Sequence, residues 1–362
     1  MAAPAKRTAP PRSRIRVLVV DDSVVIRRLV AHALEEDPQL EVVGSAANGI
    51  LALERIPQVN PDVITLDIEM PEMDGLEALR RIRKLYPRLH VIMFSTLTER
   101  GAAATMDALT LGANDYVTKA ANIGSLDRSM SILRSDLIPK IKQFFHLEAQ
   151  APAVIAAVPP AKPPAIARAL GPKQARRVVC IGVSTGGPNA LAEIMPMFPK
   201  NFSLPVLIVQ HMPPLFTRLL AERLNSQSAL RVEEAQQGSS VEPGKVLIAA
   251  GDYHMRVRKT GDRITTTLDQ EPPENSCRPA VDVLFRSVGE VYGGAAIAVI
   301  LTGMGQDGLR GVEGLQPLGA WVIAQDEPSS VVWGMPGAVV RSGLANTIVD
   351  LKQVVPQILK QL

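Results

Sequence analysis

Two α/β domains in tandem, each a doubly wound parallel sheet covered by helices, are what this 362-residue sequence predicts. Three observations carry that expectation. Short β-branched apolar runs alternate with segments of helical period through the first part of the chain. The alternation stops in a stretch at 151–172 where Pro152, Pro159, Pro160, Pro163, Pro164 and Pro172 lie among alanines, a composition that favours extended backbone and cannot pack a core. It then restarts with different motifs, and no solenoid repeat links the halves.

Composition permits this architecture and excludes others. Hydrophobic residues make up 46% of the chain, enough for two cores, and a net charge of +3 is too balanced for a dedicated nucleic-acid binder. The two cysteines, Cys180 and Cys277, give no disulfide framework. Cys180 sits in the apolar run from Arg177 to Ile181 and reads as a small buried hydrophobe. Residues 1–13 are basic and rich in Ala and Pro, lack the apolar core of a secretory signal, and are expected to be disordered. No run approaches the ~20 apolar residues of a membrane span, so a cytoplasmic protein without membrane insertion is expected.

In order, residues 15–20 form an apolar run ending in Asp21-Asp22-Ser23. Val25, Ile26, Leu29, Val30 and Leu34 then share one helical face. A strand at 41–44, a helix at 49–56 and a strand at 62–66 ending at Asp67 follow. Next come a helix at 76–85, a strand at 90–94 ending at Ser95-Thr96, a helix at 102–111 and a strand at 114–118 ending at Lys119. Helices within 125–147 close the domain. In an open parallel sheet the carboxyl ends of the strands share one edge, where ligands bind. Asp21, Asp22, Asp67 and Lys119 should therefore converge. Clustered carboxylates suit a hard cation such as Mg²⁺, and an aspartate can itself attack a phosphoryl group. Helix capping is the plainer role for Asp21 and Asp22 taken alone.

The full set, with Ser95 or Thr96 after the fourth strand and Tyr116 and Lys119 around the fifth, resembles a response-regulator receiver domain over 14–135, with its flavodoxin-like five-stranded sheet. The resemblance implies that Asp67 accepts the phosphoryl group and that Asp21, Asp22 and Asp67 hold Mg²⁺. It implies Ser95 as switch hydroxyl, Tyr116 as switch aromatic and Lys119 as the phosphate-pairing lysine. Met70-Pro71-Glu72-Met73-Asp74-Gly75 matches the loop after the phosphoacceptor. One departure is Ala120, where the family has proline after the lysine, often in a cis bond. A cis bond to a non-proline costs about 3 kcal/mol more, which argues for a trans bond with Lys119 slightly repositioned.

Residues 136–175 read as a helix followed by the Pro/Ala linker, and 176–362 as the second domain. Strands are expected at 178–183, 206–210, 246–249, 295–301 and 321–324, and helices near 188–197, 214–224, 280–290 and 308–315. Gly182-Val183-Ser184-Thr185-Gly186-Gly187-Pro188 follows a strand and opens a helix. The G-x-S-x-G pattern gives a sharp turn that exposes a nucleophilic serine, and the helix N-terminus offers N–H groups to an oxyanion. A dinucleotide site would want glycine at Ser184 and an acidic residue ending the next strand, which ends instead at His211. His32, His90 and His146 precede the linker, leaving His211 and His254 as candidate bases. His211 stands at a strand's carboxyl end, and His254 reads as structural. Asp307, in the glycine-rich run Thr302-Gly303-Met304-Gly305-Gln306-Asp307-Gly308, is the preferred carboxylate, ahead of Asp252, Asp282 and Asp326. The order Ser, His, Asp differs from the α/β-hydrolase order, so a different sheet is expected to carry the site.

Those motifs, with Gln210-His211-Met212-Pro213 and Arg278-Pro279-Ala280-Val281-Asp282-Val283-Leu284-Phe285, resemble the chemotaxis protein-glutamate methylesterase family over 176–360. The resemblance implies Ser184 as nucleophile, His211 as base, Asp307 as its partner, and an oxyanion hole from N–H groups near Thr185 and Met304. It implies an esterase site without a cofactor, methyl-accepting chemoreceptors as substrates, deamidation of receptor glutamines, and control through Asp67 by a histidine kinase. A binding output should instead show a compact helical module with a basic recognition helix, which this sequence does not offer. An esterase for another modified protein or a small ester is the remaining alternative.

Overall fold

The computed structural model describes residues 14–96, 98–119, 130, 131, 133–145 and 175–362. The expected disordered 1–13, most of the linker and Ala120 lie outside the described residues. The chain divides into two compact units at 149/150.

The first unit follows the predicted alternation: β1 (Ile15–Val20), α1 (Val24–Glu35), β2 (Leu40–Ala46), α2 (Gly49–Val59), β3 (Val63–Asp67), α3 (Gly75–Leu85), β4 (His90–Ser95), α4 (Glu99–Thr110) and β5 (Asp115–Thr118). Its sheet order is β2-β1-β3-β4-β5, with every pair parallel. The central strands are buried along their length because helices cover both faces. Each of α1 to α4 starts where a short polar side chain takes over an orphan N–H: Ser23 for Ile26, Asn48 for Leu51, Asp74 for Glu77 and Thr98 for Gly101. Such caps are worth about 1 kcal/mol each. Of the helical segment expected over 125–147, Leu133–Leu137 forms a π-helical turn that runs into α5 (Ile138–Gln143), while 125–129, 132, 146 and 147 lie outside the described residues. The strand order reverses between β1 and β3, and there the sheet's carboxyl edge opens a crevice.

The second unit is a larger version of the same idea. Its elements are β6 (Val178–Val183), α6 (Gly187–Ile194), β7 (Val206–Gln210), α7 (Phe216–Gln227), β8 (Arg231–Glu234) and β9 (Lys245–Ile248), then a hairpin of β10 (His254–Thr260) and β11 (Arg263–Asp269). The rest are α8 (Val281–Tyr292), β12 (Ala296–Ile300), α9 (Leu309–Leu315), β13 (Trp321–Gln325), α10 (Met335–Arg341), β14 (Thr347–Val349) and α11 (Val354–Leu359). Seven parallel strands lie in the order β14-β13-β12-β6-β7-β9-β8. All five expected strands and four expected helices are present. The edge strands β8 and β14, the hairpin, α10 and α11 are additions to that expectation. Ser287 of α8 accepts a hydrogen bond from the Val257 N–H at 3.0 Å, which ties the hairpin to the helix layer. The core runs from Cys180, Leu207 and Leu247 on the sheet to Leu284, Phe285 and Val288 on α8. Here the order reverses between β6 and β12.

Candidate active site and acidic pocket

In the first unit the ends of β1, β3 and β5 bring the predicted charges together. Lys119 Nζ lies 2.8 Å from Asp21 Oδ2 and 2.8 Å from Asp67 Oδ1. Asp21, Asp22 and Asp67 each offer an oxygen within 4.8 Å of the others. Burial pushes the Asp67 carboxyl up to about 6 against the opposing pull of Lys119. One lysine against three carboxylates leaves a negative, oxygen-only donor set, which fits a hard divalent cation. The pocket is lined by Asp22, Asp67, Thr96, Gly101 and Lys119 among others.

Ser95, the residue that matches the switch hydroxyl, turns away from this pocket. It is buried, its hydroxyl donates to the Gly101 carbonyl at 3.1 Å, and it accepts from Thr105 Oγ1 of α4 at 2.5 Å. Thr96, the next residue, lines the pocket. Tyr116 is buried, with Lys140 of α5 5.2 Å from its ring centre.

In the second unit, β12, β6 and β7 are adjacent, so the loops carrying Asp307, Ser184 and His211 leave neighbouring strands. Ser184 follows β6 in a turn closed by Gly186 at φ 76°, and Pro188 lies in the first turn of α6. The Ser184 N–H is already bonded to the Thr302 carbonyl at 3.0 Å. An oxyanion therefore needs other donors. Gln210, 2% exposed, donates to the carbonyls of Ser184 at 3.0 Å and His211 at 3.4 Å, stitching the two loops together. A Cβ on Gly187 would lie 1.9 Å from Gln210 Oε1, so only glycine lets the two elements approach.

His211 Nε2 lies 2.8 Å from Asp307 Oδ2. An ionised Asp307 only accepts, so Nε2 carries the hydrogen and Nδ1 is left as the basic nitrogen. Burial, the largest influence, lowers the imidazole's affinity for a proton, but the hydrogen bonds to Asp307 and Cys277, with the charge on Asp307, together outweigh it and hold His211 above the usual imidazole range. Asp307 is held correspondingly below the usual carboxylate range: burial raises it, and the bonds from His211 and backbone N–H groups more than compensate. At Nδ1 the neighbour is Cys277 Sγ, 3.5 Å away. Among the described residues no hydrogen bond joins the Ser184 hydroxyl to His211.

Asp307 is fixed by an exchange of helix caps. Ala280 precedes α8 and cannot cap it, and the first N–H groups of that helix, of Val281 and Asp282, donate to Asp307 at 2.7 and 3.0 Å. In return Asp282 Oδ1 accepts the Gly311 N–H of α9 at 2.7 Å. Helix N-termini favour negative charge, so each carboxylate is stabilised by the helix the other begins or precedes. The Asn275 amide lies 2.9 Å from both carboxylates.

The other candidates are engaged elsewhere. His254 is buried, with Nε2 3.2 Å from the Pro272 carbonyl, in line with its structural reading. Asp252 pairs with Arg278, and Asp326 accepts from Ser329. Thr185 is buried and Met304 is 38% exposed, on either side of the loop contact between β6 and β12. Gln210, Asn275 and Cys277 were not singled out as site residues in the sequence. Gln210 was readable only as part of the Gln-His-Met-Pro run, and nothing local marks Asn275.

Comparison with known proteins agrees with this layout. Residues 179–358 match the CheB methylesterase family, and residues 17–130 match the response regulator receiver domain. A protein-glutamate methylesterase/protein-glutamine glutaminase of Trichodesmium erythraeum is 49% identical over 355 residues, covering 96% of this chain and 99% of that protein. One from a Nocardioides species is 51% identical over 350 residues, covering 96% and 95%. The crystal structure of the Thermotoga maritima CheB methylesterase catalytic domain matches with a TM-score of 0.51 at 42% identity, covering 52% of this chain and all of that one. With a receiver before the esterase domain and such relatives over nearly its whole length, the chain belongs to the chemotaxis protein-glutamate methylesterase family of response regulators.

Proposed function

We propose that this protein is a phosphorylation-regulated serine hydrolase that demethylates glutamate γ-methyl esters on chemoreceptors, releasing methanol, and deamidates receptor glutamines. The observation that carries the chemistry is the 2.8 Å His211–Asp307 contact beside a strand–turn–helix serine at the sheet's order reversal. Nδ1 of His211 takes the Ser184 proton as Oγ attacks the ester carbonyl, and the hydroxyl displaces the weakly held Cys277 thiol from Nδ1 as it does so. N–H groups at Thr185 and Met304 receive the oxyanion. His211 returns the proton to methoxide, methanol leaves, and a water activated by the same nitrogen cleaves the acyl-enzyme. A glutamine side chain passes through the same tetrahedral geometry and loses ammonia.

In the receiver, Asp67 is the phosphoryl acceptor, and Lys119 pairs with the incoming charge. Asp21, Asp22 and Asp67 would hold Mg²⁺, which when bound neutralises the phosphoryl oxygens. A histidine kinase is the phosphodonor, and phosphorylation lifts a restriction on the esterase. No helix among the described residues is long and apolar enough to cross a membrane. We place the enzyme in the cytoplasm, where receptor helices carry the esters.

The test is methanol release from methylated receptor membranes, with and without a small phosphodonor and Mg²⁺. Stimulated release that disappears in Ser184→Ala is expected. Full release by Ser184→Ala would overturn the assignment. Release only from small esters, never from receptors, would overturn the substrate.

A further inference from the structure

We infer that Asn275 is a positioning residue for the esterase: its side-chain amide aims the Asp307 carboxylate at His211 by bridging it to the second buried carboxylate, Asp282. The inference rests on the reading of Ser184, His211 and Asp307 as the esterase centre.

Asp282 and Asp307 are 1% and 2% exposed, so two like charges share one dry site. Asn275 Nδ2 lies 2.9 Å from Asp282 Oδ2 and 2.9 Å from Asp307 Oδ1. An amide nitrogen carries two hydrogens, and the geometry gives one to each carboxylate. Apart from His211 at Asp307 Oδ2, the remaining contacts of both groups are backbone N–H groups held by the fold. The amide is thus the side-chain link that sets the rotation of one carboxylate relative to the other.

The turn that presents Asn275 is built to hold it. Glu274 and Cys277 exchange backbone hydrogen bonds at 3.1 and 2.9 Å. Between them Asn275 (φ 52°) and Ser276 (φ 62°) are both left-handed, the pattern of a type I′ turn, in which asparagine is favoured. Glu274 is anchored by two bonds to Arg286 of α8, and Arg278 is anchored on Asp252 and on the carbonyls of Gln270 and Glu271. The same turn brings Cys277 against the other face of the pair, at His211 Nδ1. One four-residue turn therefore touches both members of the His–Asp pair.

Asn275→Gly tests this, because glycine keeps the left-handed turn and removes only the amide. In the full-length, phosphodonor-activated enzyme, kcat for methanol release is expected to fall about tenfold, within the ~10²-fold that misplacement by 1 Å costs, with KM for the receptor unchanged. The far-downfield proton resonance of the His211 Nε2–H, assigned by its loss in His211→Gln, is expected to move upfield and exchange faster with water. Asn275→Asp, which adds a third carboxylate, is expected to lose more activity than Asn275→Gly. Wild-type kcat with an unchanged resonance in Asn275→Gly would overturn the inference. So would a lower kcat with the resonance unmoved, which would mean that the amide touches substrate instead. Ser184→Ala is run beside it: turnover there sinks the esterase reading, while the resonance still reports whether Asn275 holds the pair.

Discussion

Replacing Asp307 with asparagine separates the shape of the carboxylate from its charge. Asp307 Oδ1 accepts from Asp282 N, Gly308 N and Asn275 Nδ2 at 3.0, 3.0 and 2.9 Å, and Oδ2 faces His211 Nε2 and Val281 N at 2.8 and 2.7 Å. An amide has one oxygen, so its NH2 must oppose either three donors or two. The Oδ2 side carries the smaller conflict. There the NH2 donates to His211 Nε2, which puts the ring hydrogen on Nδ1, the atom proposed to receive the Ser184 proton. Inverting the tautomer in this way costs on the order of 10⁴ in kcat in serine proteases, about 5 kcal/mol of barrier.

The opposed Val281 N–H and the lost charge should also cost about 2–4 kcal/mol of stability. For a domain of this size each kcal/mol lowers the midpoint by about 2–4 °C, so the variant stays folded at assay temperature. The pH profile gives a second reading. The base must be neutral, so activity falls as pH drops through the His211 pKa, which Asp307 holds above the usual ~6.5. Without the carboxylate its upward pull is lost, burial weighs more heavily against the remaining Cys277 contact, and that pKa falls. The acid limb of the residual activity should therefore move to lower pH. Methanol release measured between pH 5 and 11, beside a melting curve, decides the matter. A variant within tenfold of wild type, or an acid limb that does not move, would refute the reasoning.

Three further outcomes are expected. Iodoacetamide should label Cys277, which is partly exposed and lies against His211, while Cys180 is buried and burial pushes its thiol pKa up. Label and loss of turnover should track one to one by peptide mass spectrometry, Cys277→Ala should resist inactivation, and a labelled enzyme of full activity would contradict the placement. Asp67→Asn should take up no acyl phosphate from radiolabelled acetyl phosphate and should lose phosphodonor stimulation of the esterase while keeping its basal rate; stimulation that persists would move the phosphoacceptor elsewhere. Gly187→Ala should force Gln210 away from the Ser184 carbonyl, lowering stability by about 1–3 kcal/mol and turnover with it, as followed by denaturant titration and methanol release.

Residues at strand ends were the legible part of both units. A parallel sheet gathers its carboxyl ends at one edge, so Asp21, Asp67 and Lys119, or Ser184 and His211, could be grouped once each apolar run was recognised. Side-chain rotamers were not legible. Ser95 ends β4 as expected, yet its hydroxyl turns into α4 because Thr105 and the Gly101 carbonyl are within reach. Segments without a strong period were missed. β8 reads Arg-Val-Glu-Glu and β14 has three residues, since edge strands bury little. Pro336 and Pro356 lie near the starts of α10 and α11 and disguise them as loops. Asn275 left no trace because its partners lie 7 and 32 residues away, joined only by the fold.

The position of the third catalytic candidate follows from topology. After β6 the chain lays down β7, then β8 at the far edge and β9 between the two, and crosses back to β12 on the other side of β6 by way of α8. A crossover helix runs antiparallel to its strands, so the N-terminus of α8 stands at the same carboxyl edge as Ser184 and His211. That end needs a capping anion, and Asp307, the first carboxylate after β12, supplies it. Close approach is what lets it do so. A Cβ on Gly182 would lie 2.4 Å from Val281 Cγ1, and one on Gly308 would lie 3.0 Å from the same atom. The glycines of two motifs thus seat the first residue of α8 over the end of β6. One carboxylate can then accept the Val281 N–H and still reach His211. The chain order Ser, His, Asp is the order in which β6, β7 and β12 are laid down, and the helix between the last two holds the aspartate in place.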